Sequence, residues 1–311
     1  MELFKKHNIE PIVNQYYSCH QALLASYASY QKREYDMIFA ESWGFGYKKD
    51  EHPFGISLTP DYQNRRNILL ENFHGIKVKD EQYTSMENLK YLIKTLLPYS
   101  PIILFCDVFN CPWNISYRKN HIEHYILITG LDDNTNHINI LDPYSTAYEN
   151  IIDIDNVAPD YGCINTFLTL PLNKSQTKGY CLEIENNINH IKNSNFFLNI
   201  ENFHKDFKIR FDEVLLTEYK DVYAIPLIIN LRRIANQRFC YSIFLKKMAK
   251  EKIIDCYIIN IMENIAEKYS LLRILLIKQI LKKKNNKECE QIITEIINNE
   301  YEAYEKLKTY I

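Results

Sequence analysis

Apolar runs of strand length stop near Leu172, and the chain beyond that point carries helical periodicity. Strands confined to one part, with helices continuing alone through the other, constrain the fold to the α+β class. In the first part, residues 18–30 (SCHQALLASYASY) predict a helix capped by Ser18. A capping box over residues 84–87 leads into MENLKYLIKTLL, where Met86, Leu89, Ile93 and Leu96 recur at helical spacing before Pro98 and Pro101 close the run. Strands are predicted over 101–107 (PIILFCD), 124–130 (HYILITG), 137–142 (HINILD) and 164–170 (INTFLTL), the second and third joined by the polar turn 131–136. After a polar connector at 173–179, four to six helices are predicted from about residue 205 onward. The division is placed at 175, giving a mixed domain over 1–175 and a helical domain over 176–311.

Composition removes several classes of function. The 311 residues are 46% hydrophobic and 24% charged, with 7 glycines and 10 prolines, which is globular rather than disordered or linker-like. Lys+Arg 37 against Asp+Glu 39 gives a net charge of −2 and no footprint for nucleic acid. The charge is uneven, with a net of −6 over 1–175 and +4 over the remainder, so the helical part is the one suited to an acidic partner. The opening MELFKKHNIE lacks the apolar run of a secretory signal. The greasiest stretch, 271–281, is interrupted by Arg273 and Lys278 and falls short of a membrane span. With eight cysteines at no disulfide-scaffold spacing, these features predict a cytoplasmic protein with reduced thiols and no membrane partner.

Glycine-rich phosphate loops, G-x-S-x-G and H-E-x-x-H are absent. His121 and His124 stand three apart, but no cysteine or carboxylate completes a ligand set, so no metal site is expected. What remains is a Cys–His–Asp order. Cys19 lies in the first turn of a predicted helix, where unpaired N–H groups and the helix dipole favour a thiolate. His124 heads an alternating strand and can face a cleft, with Tyr125, Leu127 and Thr129 on the opposite side. Asp142 ends the paired strand in the run Leu-Asp-Pro-Tyr and can orient the imidazole, the third role in a nucleophile–base–orienter set. Gln15 and Asn14, four and five residues before Cys19, are candidates either for an oxyanion donor or for simple turn residues. Phe109, Trp113 and Tyr117, in the loop before His124, are candidates for the wall of a substrate channel or for core.

The order and placement resemble the papain-like cysteine enzymes. A closer resemblance runs from residue 101 to 144, PIILFCDVFNCPWNISYRKNHIEHYILITGLDDNTNHINILDPY, which is similar to the amino-terminal domain family of butirosin biosynthesis protein H. There a strand ending in Asp leads through an aromatic, Pro-containing loop to the catalytic His strand and then to Asp-Pro. YYSCHQALLASY resembles that family's nucleophile segment and ESWGFGYKK its Gly/aromatic stretch, although Gln15 stands closer to the cysteine than its counterpart in the peptidases. The family also carries a helical carboxy-terminal region. The resemblance implies a papain-like core with Cys19, His124 and Asp142 as catalytic residues. It further implies an acyltransferase that takes an acyl group from the phosphopantetheine arm of an acyl or peptidyl carrier protein and forms an amide with a small amine. No bound cofactor is implied.

Carrier proteins of such pathways are acidic, and Lys282, Lys283 and Lys284 in the helical part are the expected docking residues. The same catalytic residues also fit a peptidase or amidohydrolase, and the fold also fits a non-enzymatic partner-binding module. The lack of a secretory signal and the attached helical region favour the transferase.

Overall fold

The computed structural model describes residues 7–61, 63–132, 135–144, 149–172, 177–216, 221–283 and 287–311. Contacts divide the chain into two compact units, Met1–Tyr35 with Asn67–Asn173, and Asp36–Arg66 with Lys174–Ile311. The division at 175 drawn from sequence texture places Asp36–Arg66 in the first part. By contacts, that segment packs in the second.

The chain runs α1 (Cys19–Tyr30), α2 (Arg66–His74), β1 (Ile76–Tyr83), α3 (Met86–Leu96), β2 (Ile102–Asp107), β3 (Glu123–Asp132), β4 (His137–Leu141), β5 (Glu149–Asp153) and β6 (Gly162–Thr169). The six strands form one antiparallel sheet in the order β1-β6-β2-β3-β4-β5, so the fold is mixed α+β. The central strands read as continuous apolar runs because both of their faces are covered. On one face Ile102, Leu104, Ile126, Ile128, Ile138 and Ile140 pack with Leu89, Ile93 and Leu97 from α3 and the residue that caps it. On the other, β3 meets α1, where the His20 and Tyr125 rings lie 5.1 Å apart. Each such aliphatic side chain contributes about 1.5–3 kcal/mol when fully buried.

Helix α1 is buried without interruption from Gln21 to Ala28, as expected of a helix with no polar face. Its start is fixed by a capping box, in which Ser18 Oγ accepts the Gln21 N–H and Gln21 Oε1 accepts the Ser18 N–H. The box expected at residues 84–87 is corrected. The cap of α3 is Ser85, one residue later, whose hydroxyl accepts the Asn88 N–H, while Asn88 Oδ1 accepts the Thr84 N–H.

Strands β1 and β5 were not predicted. Both lie at sheet edges, and β1 (IKVKDEQY) carries charges where alternation would show. Residues 133–134 of the 131–136 turn, and 173–176 of the connector, lie outside the described residues.

One irregularity in the sheet positions the site. Between Ile128 and Gly130 a β-bulge shifts the β3–β4 register, which then runs through Ile128↔Ile140 to Leu127↔Leu141. A one-residue slip exchanges the faces on which side chains project. The bulge therefore sets which end of β3 meets the residue just past β4, and bulges beside active sites re-aim side chains in this way. Glycine fits at its corner because a Cβ on residue 130 would meet Asn139 Nδ2 at 2.9 Å.

The second unit joins Asp36–Arg66 to α4 (Thr177–Asn193), α5 (Phe196–Leu216), α6 (Pro226–Lys250), α7 (Tyr257–Lys282) and α8 (Glu288–Lys308). Its core holds an ion pair with no solvent exposure, Arg238 Nε to Glu300 Oε1 at 2.8 Å. Trp43 Nε1 donates to the other Glu300 oxygen at 2.7 Å, and Arg238 Nη1 donates to the Gly44 carbonyl at 2.9 Å. Phe196 and Tyr269 present their faces to the guanidinium. Gly55, at φ +84°, lets the backbone pass against Leu227, where a Cβ would lie 2.7 Å from that residue's own Cβ.

Candidate active site

Cys19 is the first residue of α1, where a helix leaves its backbone N–H groups without intrahelical acceptors. Its side chain is half-buried, and its thiol lies beside the His124 ring, near enough to raise that ring's pKa. His124, one residue into β3, is 2% exposed, and its Nε2 lies 2.8 Å from Asp142 Oδ2. Asp142 follows the last residue of β4 and is fully buried. The three residues singled out from sequence therefore meet, drawn from a helix start, a strand start and a strand end. Because Nε2 is taken by Asp142, Nδ1 is the ring nitrogen left for sulfur. This reverses the usual serine-protease assignment, in which Nδ1 faces the carboxylate.

The electrostatics of His124 follow from its surroundings. Burial works against the imidazolium, but the hydrogen bonds to Asp142 and Cys19, together with the charges of both partners, outweigh it and raise the pKa from 6.5 to about 10. The site is thus built to hold a cationic ring between a sulfur and a carboxylate.

Asp142 is held by two further donors. Trp113 Nε1 donates to Oδ2 at 2.8 Å and the Tyr144 N–H to Oδ1 at 3.2 Å. Trp113 was weighed as channel wall or as core. The structure packs its ring against the core under the sheet and gives its indole N–H to Asp142. Tyr144 was not singled out beforehand. Its ring lies 6.0 Å from that of His124 and the residue is 47% exposed, so it flanks the imidazole from the solvent side. The sequence signal was the Asp-Pro-Tyr run itself, since an Asp side chain commonly accepts the N–H two residues on.

Phe109 stacks on His121 at 4.3 Å and 15°, and the Arg118 guanidinium lies 5.1 Å from Phe109 and 5.2 Å from Tyr117. Both rings are thus engaged within their own loop. Asn14 Oδ1 accepts the Tyr16 N–H at 2.9 Å, which is the turn role weighed for it, whereas Gln15 is exposed. His121, weighed as a metal ligand with His124, instead pairs with Asp107 through Nδ1 at 2.6 Å. Among the described residues no group of three or more His, Cys, Asp or Glu side chains is arranged to hold a metal ion. In the helical unit Lys282 ends α7, exposed, and Lys283 caps it in the left-handed conformation at φ 48°. Lys284 lies outside the described residues. No described helix is long and apolar enough to cross a membrane.

Compared with known proteins, the sequence matches no protein-family model and no curated protein.

Proposed function

We propose that the protein is a cysteine-dependent acyltransferase on a papain-like core, acting in the cytoplasm on a carrier-bound thioester. The observation that carries this reading is the His124 ring, 2.8 Å from Asp142 Oδ2 and with the Cys19 thiol beside it. Cys19 attacks the thioester carbonyl. Its own backbone N–H, with Asn14 or Gln15, receives the developing oxyanion. His124 gives its proton to the departing pantetheine sulfur, leaving acyl-Cys19 and a free carrier thiol. An amine then attacks acyl-Cys19 and His124 takes its proton while Asp142 holds the ring, and the acyl C–S bond breaks to release the amide and the Cys19 sulfur.

Exchange of one thioester for another is nearly isoenergetic, so the chemical demand on the site is to favour amine over water. Acylation itself readies the base. Once the sulfur is acylated its hydrogen bond and charge no longer support the imidazolium, and burial then draws the His124 pKa down. The acyl chain is assigned to the surface of the 108–122 loop beside His124, with Phe109 and Tyr117 in its wall. An acidic carrier is assigned to the basic end of α7, at Lys282 and Lys283, with Lys284 next in the sequence.

Intact-mass measurement after exposure to acylated carriers tests the reading. An acyl adduct is expected on the wild-type protein and none on Cys19→Ala. With amine added, the adduct should discharge to amide. Discharge to free acid alone, or adducts from peptides but not from carriers, would place the site with the hydrolases. Wild-type behaviour of Cys19→Ala would favour a binding module. Lys282→Glu with Lys283→Glu should raise KM for the carrier and leave a small thioester unaffected.

A further inference from the structure

Beside the imidazole lies a second arrangement of sulfur. Cys106 is the direct cross-strand partner of His124, and residues so paired share a face of the sheet. Its Sγ lies 3.7 Å from Cys111 Sγ, with both side chains fully buried. The intervening turn is closed by the Cys111 N–H on the Val108 carbonyl at 2.9 Å and by the Phe109 N–H on Asp107 Oδ1 at 2.9 Å, so local backbone geometry holds the two thiols together. The thiols are not equivalent. Their shared hydrogen bond pushes Cys106 up, with burial adding to it, and draws Cys111 down against its own burial, with the nearby His124 charge assisting. Cys111 is therefore the sulfur that more readily loses its proton.

We propose that Cys106 and Cys111 form an oxidation site, a dithiol that hydrogen peroxide converts to an intramolecular disulfide. The Cys111 thiolate attacks the peroxide oxygen, the O–O bond breaks, and the leaving hydroxide takes a proton to become water. The resulting sulfenic acid is then attacked by the Cys106 sulfur, which loses its proton. An S–S bond forms as the S–O bond breaks, and a second water departs. The two thiols lose two electrons and the peroxide gains them.

Closure requires the sulfurs to approach from 3.7 Å to about 2.05 Å. Cys106 is held in β2 between β3 and β6, so the movement falls on Cys111. Two residues further on, Trp113 holds Asp142, so the disulfide draws on the same loop that orients the His124 carboxylate. The oxidation site itself does not depend on the acyltransferase reading.

One tryptic peptide, residues 95–118, contains both cysteines and no other. The full-length protein, as wild type and as Cys19→Ala, is treated with hydrogen peroxide under native conditions, then unfolded, alkylated with iodoacetamide and digested. In both proteins most of this peptide should become two hydrogens lighter and unalkylated, and reductant before alkylation should return it to the doubly alkylated form. Cys111→Ser should abolish the lighter species. The proposal is overturned if the peptide stays doubly alkylated while the exposed Cys181 and Cys256 are oxidised, or if Cys111 is recovered as sulfinic acid rather than disulfide. Because Cys19→Ala carries no nucleophile, this outcome is independent of any failure to form an acyl adduct.

Discussion

Trp113 Nε1 and His124 Nε2 converge on the same oxygen, Asp142 Oδ2, each at 2.8 Å. A buried carboxylate oxygen shared by two ring N–H groups has little freedom to rotate, which fixes the plane in which the imidazole must lie. On the proposed mechanism Trp113 is therefore a positioning residue that acts through Asp142.

Trp113→Phe keeps the ring and removes the donor. Hydrogen bonds to charged groups are worth roughly 1.5–3 kcal/mol, which corresponds to about 10–100-fold in rate if it is expressed wholly in orientation. The fall should appear in kcat, with KM for the acyl donor unchanged. A change confined to KM would instead make the indole a substrate contact.

The His124 pKa of about 10 rests on two partners, so each should be separable by NMR titration of the ring. Cys19→Ala removes the sulfur hydrogen bond and charge, and Asp142→Asn removes the carboxylate charge. Both changes should lower the titration midpoint, because burial alone opposes the charged ring. A midpoint that stays put in both variants would refute the arrangement.

Stability should depend on pH through the same group. Its folded pKa of about 10 stands above the unfolded value of 6.5. The associated stabilisation is thus fully present below the unfolded value and is lost as pH rises toward the folded one. Thermal melts from pH 7 to 10 should show a steeper decline in the wild type than in His124→Gln. Parallel declines would show that other groups carry the dependence.

Within the second unit, Glu300→Ala leaves Arg238 charged and buried and deprives Trp43 of its acceptor. Breaking a buried pair in this way costs about 3–5 kcal/mol, to be read from the denaturant midpoint. The double variant Glu300→Ala with Arg238→Met should recover part of the loss, since no unpaired charge remains.

Cys19, His124 and Asp142 were legible in the sequence because each sits at an element boundary with its own local signal: a Ser cap, an alternating strand and an Asp-Pro turn. Trp113 was legible as an aromatic but not as a donor to Asp142, since that bond spans 29 residues and depends on the register of β3 and β4. The strand at Ile76–Tyr83 was hidden because an edge strand can be largely charged and still pair. The allegiance of Asp36–Arg66 was hidden for a different reason. Trp43 and Phe45 look like core, but nothing local says whose core.

That allegiance bears on how the chain is made. Trp43 leaves the ribosome 257 residues ahead of Glu300, and Gly44 leaves 194 ahead of Arg238. At about 5–20 residues per second, this delay is roughly 10–50 s during which the indole has no carboxylate to meet. The same stretch meets earlier partners first, Glu183 for Arg65 and Asp206 for Tyr47, so residues 36–66 gain their neighbours in steps as α4, α5, α6 and α8 emerge.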